Sequence, residues 1–431
     1  MDDKITSVRA QQIIDCKCRP VVEVEIRTAS GAVGRGAAPT GTSVGMYEAF
    51  VLRDGDPKSY KGLSVHKAVD IAVNAIGPQI IGMNVFEQRA IDEEMIALDG
   101  TPDKHRLGGN SIYSVSIAAF RAAADSRRIP LYKHIAGRDI RTVPVPCFNV
   151  INGGRYEGFT QSFNEFLIVP YGTESLDTSV EMAITIFDQL SAVLTKHLGR
   201  KPQVASSYGY AAPSDDPAIV LELMEQAIKA CGYEGRVGFA LDCASSEMFD
   251  KSSGTYLLKG RQVSTDDLIA YAKSLTERFN MVFIEDLLDE NDWNGYSKAV
   301  QALDRTIVLG DDLTVTNLDK LKRAHDTRAV EGFVLKPNQV GTITEAMDAY
   351  QFAKDHGLIA VPSGRSGGVI DDVVMDFSVG LEVPFQKNGA PRSGERIEKL
   401  NFLMRASAAS PGCRLYYLAP LLKFNRNTKS S

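Results

Sequence analysis

The stretches VGFALD (237–242), VFIED (282–286), VLGDD (308–312) and GFVLK (332–336) decide the fold. Each is a short unbroken apolar run that ends in charge, and such runs are typical of strands buried on both faces of a parallel sheet. The spacings between Asp242, Glu285, Asp311 and Lys336 are 43, 26 and 25 residues. The shorter spacings fit a strand, a helix and two loops, and the longest leaves room for a hairpin or other insertion. The repeat therefore predicts a TIM-like α/β barrel.

The first third of the chain has a different pattern. Residues 20–28 alternate apolar and polar side chains, and a second such run at 32–38 follows a turn at Ser30 and Gly31, so we expect an antiparallel hairpin. From about residue 62 the pattern becomes helical, with a four-turn helix over 110–124 that opens on Asn110 as its N-cap. We therefore predict an α+β domain over residues 1–141 and a barrel domain over 142–431. An open doubly wound sheet is the alternative, but the GxGxxG turn that would support it is absent.

Composition excludes several classes of protein. The chain has 431 residues, a formal charge of -6, and no block of five or six like charges, which argues against nucleic-acid binding. The N-terminal residues lack an apolar signal region, and no run approaches the roughly 18 apolar residues of a membrane span, so we expect a cytoplasmic protein. The cysteines are scattered, which favours free thiols, and one Cys-x-Cys pair is only weak evidence for a metal site. They are Cys16, Cys18, Cys147, Cys231, Cys243 and Cys413.

Three carboxylates end consecutive predicted strands at the barrel mouth. Asp242, Glu285 and Asp311 would repel one another there unless a cation lay between them. An all-oxygen ligand set suits a hard cation, Mg²⁺ before Mn²⁺. Each acid alone could instead be a helix N-cap or a surface ion-pair partner, but three acids in register on consecutive strands argue against that interpretation. Lys336 occupies the same register, and a lysine beside a dication and a second lysine can act as a neutral base.

The chain resembles the enolase family along nearly its full length. The matching segments are IEDLLDENDW (284–293), GDDLTVTN (310–317), LDCASSEMF (241–249), VLKPNQVGT (334–342), NVINGG (149–154), APTGTSVG (38–45) and NGAPRSGERIEKLN (388–401). The resemblance implies an N-terminal α+β domain over a ββαα(βα)6 barrel. It also implies a homodimer or an assembly of dimers.

The resemblance also implies roles for individual residues. Asp242, Glu285 and Asp311 would hold Mg²⁺, and Lys336 would remove the proton α to the substrate carboxylate. Lys387 would be the second lysine, which stabilises the enediolate together with the metal. The remaining matches are Arg365 and Ser366 for the substrate phosphate, Ser43 on a mobile loop that reaches a second Mg²⁺, and Glu165 in support of the family's general acid.

Three positions depart from the family. Tyr156 and Gly364 stand where the family has histidines, and Tyr208 replaces the glutamate that protonates the departing hydroxyl. A tyrosine with an ordinary pKa near 10 is a poor general acid at neutral pH, and losing such an acid costs on the order of 10²- to 10⁴-fold in rate. We expect Gly364 to open volume beside the phosphate site. The turn DCKCRP (15–20) also departs, with no evident consequence from sequence alone.

Three hypotheses follow for the function. The first is a magnesium-dependent lyase or synthase acting on a carboxylate that bears phosphate or phosphonate, for example a carboxyphosphonoenolpyruvate synthase of phosphonate biosynthesis. The second is phosphopyruvate hydratase, which converts 2-phosphoglycerate to phosphoenolpyruvate, with Tyr208, Glu165 or a metal-bound water in place of the lost acid. The third is a non-catalytic binding protein, which retention of the acids and lysines argues against.

Overall fold

The computed structural model describes residues 2–41 and 45–425. A three-stranded antiparallel sheet opens the chain, in the order β1 (Ile5–Ile14), β2 (Pro20–Thr28) and β3 (Val33–Ala37). The pairing of β2 with β3 confirms the predicted hairpin. The sequence does not predict β1, because the side chains of this strand do not alternate regularly between buried and exposed positions. Across the described part of the chain, no helix has the length and apolar character of a membrane span.

Helices follow this sheet along the chain. They are α1 (His66–Ile71), which continues as a π-helical segment (Ala72–Ile76), α2 (Gly77–Ile80), α3 (Gln88–Asp99), α4 (Gly109–Ser126) and α5 (Leu131–Ala136). Helix α4 confirms the predicted helix, although it begins at Gly109 and Asn110 is not its N-cap. The Asn110 side chain instead accepts from Leu52 N at 2.9 Å and donates to Leu52 O at 3.1 Å. The amide therefore holds a loop against the helix.

The rest of the chain forms the barrel and its additions. The strands are β4 (Thr142–Val143), β5 (Val145–Tyr156), β6 (Phe159–Val169), β7 (Tyr210–Ala211), β8 (Gly238–Asp242), β9 (Phe249–Asp250), β10 (Thr255–Leu258), β11 (Arg261–Val263), β12 (Met281–Glu285), β13 (Ile307–Gly310), β14 (Gly332–Leu335), β15 (Ile359–Pro362), β16 (Phe385–Lys387) and β17 (Arg414–Leu415). The helices are α6 (Leu176–Leu198), α7 (Pro217–Ala230), α8 (Thr265–Arg278), α9 (Trp293–Ala302), α10 (Leu318–Asp326), α11 (Pro337–Val340), α12 (Ile343–Asp355), α13 (Val374–Gly380) and α14 (Gly394–Ala408).

Eight of these strands close the barrel in the order β5, β6, β8, β12, β13, β14, β15, β16. Strand β6 is antiparallel to β5 and β8, whereas the other pairs, including β16 with β5, are parallel. A bridge between Ser363 and Lys387 completes the ring. With α6 and α7 between β6 and β8, this is the ββαα(βα)6 barrel that the resemblance implies. The small sheet of β9, β10 and β11 accounts for the long spacing before Glu285.

The barrel register brings acids from neighbouring strands side by side. Asp242 pairs with Glu165 on one side and with Glu285 on the other. Asp311 directly follows β13, and Lys336 directly follows β14. The predicted convergence at the carboxyl ends of the strands is therefore present. The predicted boundary after Arg141 lies between α5 and β4, and as a domain boundary it stays a prediction.

Helix α4 approaches β3 so closely that a side chain is excluded there. A Cβ atom at Gly34 would overlap the backbone atoms Ala118 O and Ala122 N of α4. We expect Gly34→Ala to lower the free energy of unfolding by about 1–3 kcal/mol, because backbone cannot move aside as a flexible side chain can. Urea unfolding followed by circular dichroism measures this. Gly394→Ala is the matched control, since its Cβ would meet nothing within 4 Å; equal losses in both variants would contradict the close packing.

Candidate active site at the barrel mouth

A polar cavity of about 410 Å³ lies at the carboxyl ends of the barrel strands. Most of the residues that line it carry charge or a polar group, which suits a small, highly charged ligand. They include Glu48, Glu165, Asp242, Glu247, Asp286, Asp311, Asp312, Lys336, Arg365, Ser366, Lys387, Asn388, Arg396 and Lys399. The structure thus brings together most of the site residues predicted from sequence. Ser43 lies outside the described residues.

Lys387 lies at the centre of the acids. Its Nζ is 2.6 Å from Glu285 Oε2, 3.2 Å from Asp242 Oδ2 and 3.5 Å from Glu165 Oε2. Burial alone would lower the pKa of this lysine, but Asp242 and Glu285 outweigh burial and raise the pKa well above its ordinary value. The ammonium group is therefore held protonated among three carboxylates.

Glu285 is the most enclosed acid of the group, with no exposed surface. Burial and then repulsion from Asp242 raise the pKa of its carboxyl well above the usual range, against the opposing effect of Lys387. Within the described residues, its Oε1 atom has no hydrogen-bond partner. A buried carboxylate oxygen left without a donor beside two other acids fits a site for a hard divalent cation.

Asp311 and Lys336 form the neighbouring pair. Lys336 Nζ contacts Asp311 Oδ2, and Gln339 Nε2 donates to Asp311 Oδ1 at 2.9 Å. Burial raises the pKa of Asp311, but Lys336, together with Lys387 and Arg365, outweighs burial and the net pKa is lowered. Burial likewise lowers the pKa of Lys336, but Asp311 and Glu285 together outweigh burial, so the net pKa is raised. Lys336 can therefore act as the neutral base predicted from sequence only when another cation binds Asp311 in its place.

Two further acids, Asp286 and Asp312, were not predicted. One carboxylate oxygen from each of Asp286, Asp311 and Asp312 lies within 4.8 Å of the others, so these three could also hold a metal ion. Asp286 accepts from Asp311 N and Asp312 N, both at 2.8 Å, and so orders the loop that carries Asp311. Burial, followed by the neighbouring acids, raises the pKa of Asp286 and of Asp312. Each directly follows a predicted metal acid in sequence, which is the signal that could have identified it.

Glu48, from the N-terminal part of the chain, forms a further ion pair in the cavity with Arg365. Arg365 donates from Nη1 to Glu48 Oε2 at 2.6 Å and from Nη2 to Glu48 Oε1 at 3.0 Å, and both side chains are 4% exposed. Such a bidentate pair fixes the plane of the guanidinium group. Ser366 also lines the cavity, beside Arg365. The sequence predicts Arg365 and Ser366 here, but not Glu48.

The two tyrosines predicted at the site are not among the residues that line the cavity. Tyr208 donates from its hydroxyl to Cys16 O at 2.7 Å, and burial followed by Cys16 raises its pKa, which makes it a still weaker acid. Tyr156 donates to Asn152 O at 2.7 Å and Gly153 O at 3.1 Å. Both hydroxyls thus donate to backbone carbonyls, and the catalytic role of Tyr208 and the substrate contact of Tyr156 stay predictions.

The turn that carries Cys16 connects loops around the cavity. Cys16 N donates to Gly368 O at 2.9 Å, and Cys16 Sγ donates to Ser366 O at 3.4 Å. Arg19 donates to Gly41 O at 3.1 Å and Thr40 O at 3.0 Å. The departure of this turn from the family sequence thus has a structural consequence, because the turn holds Tyr208 and two loops of the cavity. The six cysteines are free thiols, as predicted.

Gly364 does not open volume, contrary to expectation. A Cβ atom there would lie against Lys399 Nζ and 3.4 Å from Asp372 Oδ2. Lys399 extends from α14 and pairs with Glu395 at 2.5 Å, one helical turn away. The space made by the missing side chain is therefore filled by an ammonium group. The i, i+4 spacing of Glu395 and Lys399 predicts their pairing, but not their place in the cavity.

Comparison with known proteins agrees with this geometry. The family model described as "Enolase, N-terminal domain" matches residues 5–135, and the one described as "Enolase, C-terminal TIM barrel domain" matches residues 140–412. A protein named Enolase from Methanopyrus kandleri is 40% identical over 426 residues, which cover 97% of this chain and 100% of that protein. Proteins of the same name from Methanococcus aeolicus and Methanococcus maripaludis are each 39% identical, over 93% and 94% of this chain and 94% and 96% of their own lengths.

The contacts of Lys387 lead to a prediction about stability. Lys387→Met would leave Glu285 and Asp242 without their cation, and removing one partner of a buried ion pair costs about 3–5 kcal/mol. We expect the thermal midpoint of the variant to fall without Mg²⁺ and to recover with millimolar Mg²⁺ more than that of the unaltered protein, since the dication replaces the lost charge. Lys322→Met, at a surface lysine paired with Asp319, is the control. A variant midpoint that does not respond to Mg²⁺ would contradict the assignment of these acids to a cation.

Proposed function

This chain belongs to the enolase family of carbon–oxygen lyases, and from that premise we propose that it removes the proton α to a carboxylate from a phosphorylated substrate and eliminates a group from the β carbon. The observation that carries the proposal is the arrangement of Lys336 and Lys387. The two lysines lie against separate members of one acid group, Lys336 on Asp311 and Lys387 on Glu285 and Asp242. A base and a fixed positive charge are what such a reaction needs.

We propose Asp242, Glu285 and Asp311 as the ligands of Mg²⁺, with Mn²⁺ as a substitute. The orphaned Glu285 Oε1 and the all-oxygen donor set support this. When bound, the ion would supply positive charge that makes an otherwise weakly acidic C–H bond ionisable. Asp286 and Asp312 offer oxygens for a second ion. A dication on Asp311 would also compete with Lys336 for that carboxylate, which favours loss of the lysine proton.

The remaining residues have separate proposed tasks. Lys336 accepts the α-proton, and Lys387 stays protonated and faces the negative charge that develops on the substrate carboxylate. Arg365 receives the phosphate, with Glu48 holding the guanidinium plane in place and Ser366 adding a hydroxyl group. Glu165 supports Lys387 from the third side, at 3.5 Å. Ser43 is proposed to close over the substrate.

The relatives favour one of the two finer reactions. Proteins that share about 40% of their residues with this chain are named Enolase, which supports phosphopyruvate hydratase, with 2-phosphoglycerate as substrate, over the synthase. One observation favours the synthase hypothesis, with a phosphonate-bearing substrate: Tyr208, at the position of the family's acid, donates its hydroxyl to Cys16 O. We further propose a cytoplasmic homodimer divided near residue 141.

Proton exchange tests the proposal directly. We expect the unaltered protein with Mg²⁺ to exchange the C2 proton of 2-phosphoglycerate with deuterium, followed by NMR, and to form the enol product, followed by its ultraviolet absorbance. Lys336→Met removes the base, so exchange and product formation should both fall by on the order of 10²- to 10⁴-fold. Lys322→Met is the control for loss of a lysine.

The two readouts separate the candidate reactions. Exchange together with rapid product formation supports the hydratase. Exchange with little product supports a substrate that carries another leaving group, as the synthase hypothesis requires. Absence of C2 exchange, or exchange that persists in Lys336→Met, would overturn the proposed role of this site.

A further inference from the structure

The proposed reaction has one unassigned step, the departure of the group from the β carbon. Hydroxide leaves poorly, because its conjugate acid, water, has a pKa of about 15.7, so a departing hydroxyl group needs a proton. Tyr208 stands at the family's acid position, and its hydroxyl donates to Cys16 O. Glu165 accepts from Asn149 Nδ2 at 2.7 Å and faces Lys387 Nζ at 3.5 Å, which suits a carboxylate ion. The arrangement therefore favours a leaving group that needs no proton from the protein.

Arg396 is a buried cation on the same side of the cavity. It lines the cavity, it is 4% exposed, and its guanidinium carbon lies 4.8 Å from the centre of the Tyr208 ring. Its Nη1 donates to Ser207 O at 2.9 Å, so the arginine is fixed to the loop at the family's acid position. Arg396 lies in a segment that matches the family, and the departure is in what it faces. A neutral tyrosine ring stands where the family has a carboxylate.

Contacts through β5 connect Arg396 with the lysine that faces the substrate. A Cβ atom at Gly389 would overlap Arg396 Nε, and Gly389 follows Lys387 by two residues, a span of at most about 7 Å between Cα atoms. Gly389 O accepts from Asn149 N at 3.2 Å, and the Asn149 side chain donates to Glu165, which faces Lys387. The guanidinium group and Lys387 thus line neighbouring parts of one cavity.

Arg396 has no carboxylate of its own among the described residues. The acid within 4 Å is Glu395, whose Oε2 lies 3.9 Å from Arg396 Nε, too far for a hydrogen bond. Glu395 Oε1 lies 2.5 Å from Lys399 Nζ, so two cations share this one acid. Asp372 also interacts with Lys399, but burial raises the pKa of its carboxyl, so it carries negative charge less readily. The guanidinium N–H groups that do not bond Ser207 O are therefore available to an anion.

The turn that departs from the family adds a further cation. Lys17 is half-buried and forms no ion pair within the described ranges. Burial lowers the pKa of its ammonium group, and repulsion from Arg19 and then Arg396 lowers it further, against a weaker opposing effect of Asp15. Such repulsion indicates an excess of positive charge at this wall of the cavity, which a bound anion would relieve.

We propose that Arg396 binds a second phosphate group of the substrate, carried on the β oxygen, and that this phosphate is the leaving group. This rests on the proposed function, since Lys336 must first take the α-proton. The C–H electron pair becomes the carbon–carbon double bond, and the β C–O bond breaks with its pair on oxygen. The group departs as hydrogenphosphate beside the Arg396 guanidinium group, which stabilises the charge that develops. Lys336 then returns its proton to solvent.

The chemistry of phosphate explains why no acid is needed. An ester phosphate loses its last proton with a pKa of about 6, so near neutral pH part of the substrate still carries that proton. When this form departs, the proton that hydroxide would need is already on the leaving group. Tyr208 then has no proton to supply, and its hydroxyl can remain on Cys16 O.

The experiment uses 2,3-bisphosphoglycerate, which is 2-phosphoglycerate with a phosphate on the C3 oxygen. With Mg²⁺, we expect the unaltered protein to release inorganic phosphate from it with a kcat/KM above that for dehydration of 2-phosphoglycerate. Arg396→Met should lower kcat/KM for phosphate release by on the order of 10- to 100-fold more than it lowers C2 exchange in 2-phosphoglycerate, as expected for loss of a charged hydrogen bond. Arg396→Lys keeps the charge and should recover part of that loss. Lys322→Met controls for loss of a surface cation.

A substitution at Tyr208 tests the same charge in the opposite direction. Tyr208→Glu places a carboxylate against Arg396, so phosphate release should fall, whereas dehydration of 2-phosphoglycerate should rise because the family's acid is restored. Tyr208→Phe is the matched control, since it removes the hydroxyl contact with Cys16 and adds no charge. We expect Tyr208→Phe to change both rates in the same proportion.

The outcomes separate this proposal from its premise. Equal losses for both substrates in Arg396→Met would overturn the proposal, as would dehydration of 2-phosphoglycerate with a higher kcat/KM than phosphate release in the unaltered protein. Exchange of the C2 proton of 2,3-bisphosphoglycerate without release of phosphate would overturn it as well. Absence of C2 exchange with both substrates in the unaltered protein would instead refute the proposed function, on which this step rests.

Discussion

The close approach of carboxylates at the mouth of the barrel is the constraint on which the rest of the site depends. Glu285 is wholly buried next to Asp242, and burial and the neighbouring acid both oppose ionisation of the Glu285 carboxyl, so its negative charge needs a positive one beside it. Lys387 meets that need through three contacts within 3.5 Å. The arrangement is also poised for exchange, because a dication on the same oxygens would satisfy the acids and leave the lysine free to face a substrate anion.

The barrel creates this constraint through its register. Asp242 is paired with Glu165 and with Glu285 by backbone hydrogen bonding between strands, so the acids cannot separate without breaking the sheet. Asp286 adds to this by accepting two backbone N–H groups from the loop that carries Asp311. The electrostatic strain among the acids is therefore held in place by strand pairing, which is what a preformed cation site requires.

Periodicity and charge in the sequence predict the strands that end in these acids, because both faces of each strand are buried and the apolar runs are unbroken. They do not predict β16, whose three residues are too few to show a pattern, although the match to a family places Lys387. The direction of Tyr208 could not be predicted either. Its partner, Cys16, is 192 residues away, and a match at one position says nothing about where a side chain points. The extra volume expected at Gly364 could not be judged from sequence for a related reason. The side chain that lies against Gly364 is Lys399, which comes from a helix 35 residues further along the chain.

The departures from the family form a coupled set. Tyr208 is held by Cys16 of the altered turn, and the same turn binds the backbone of Ser366 and Gly368. Gly364 and Gly368 lie on that backbone and accommodate Lys399 and Glu395. A change at any one of these positions would therefore disturb the others. These contacts join the turn at Cys16, Tyr208 and the loop after β15 into one connected wall of the cavity, whereas strand pairing in the barrel positions Asp242 and Glu285.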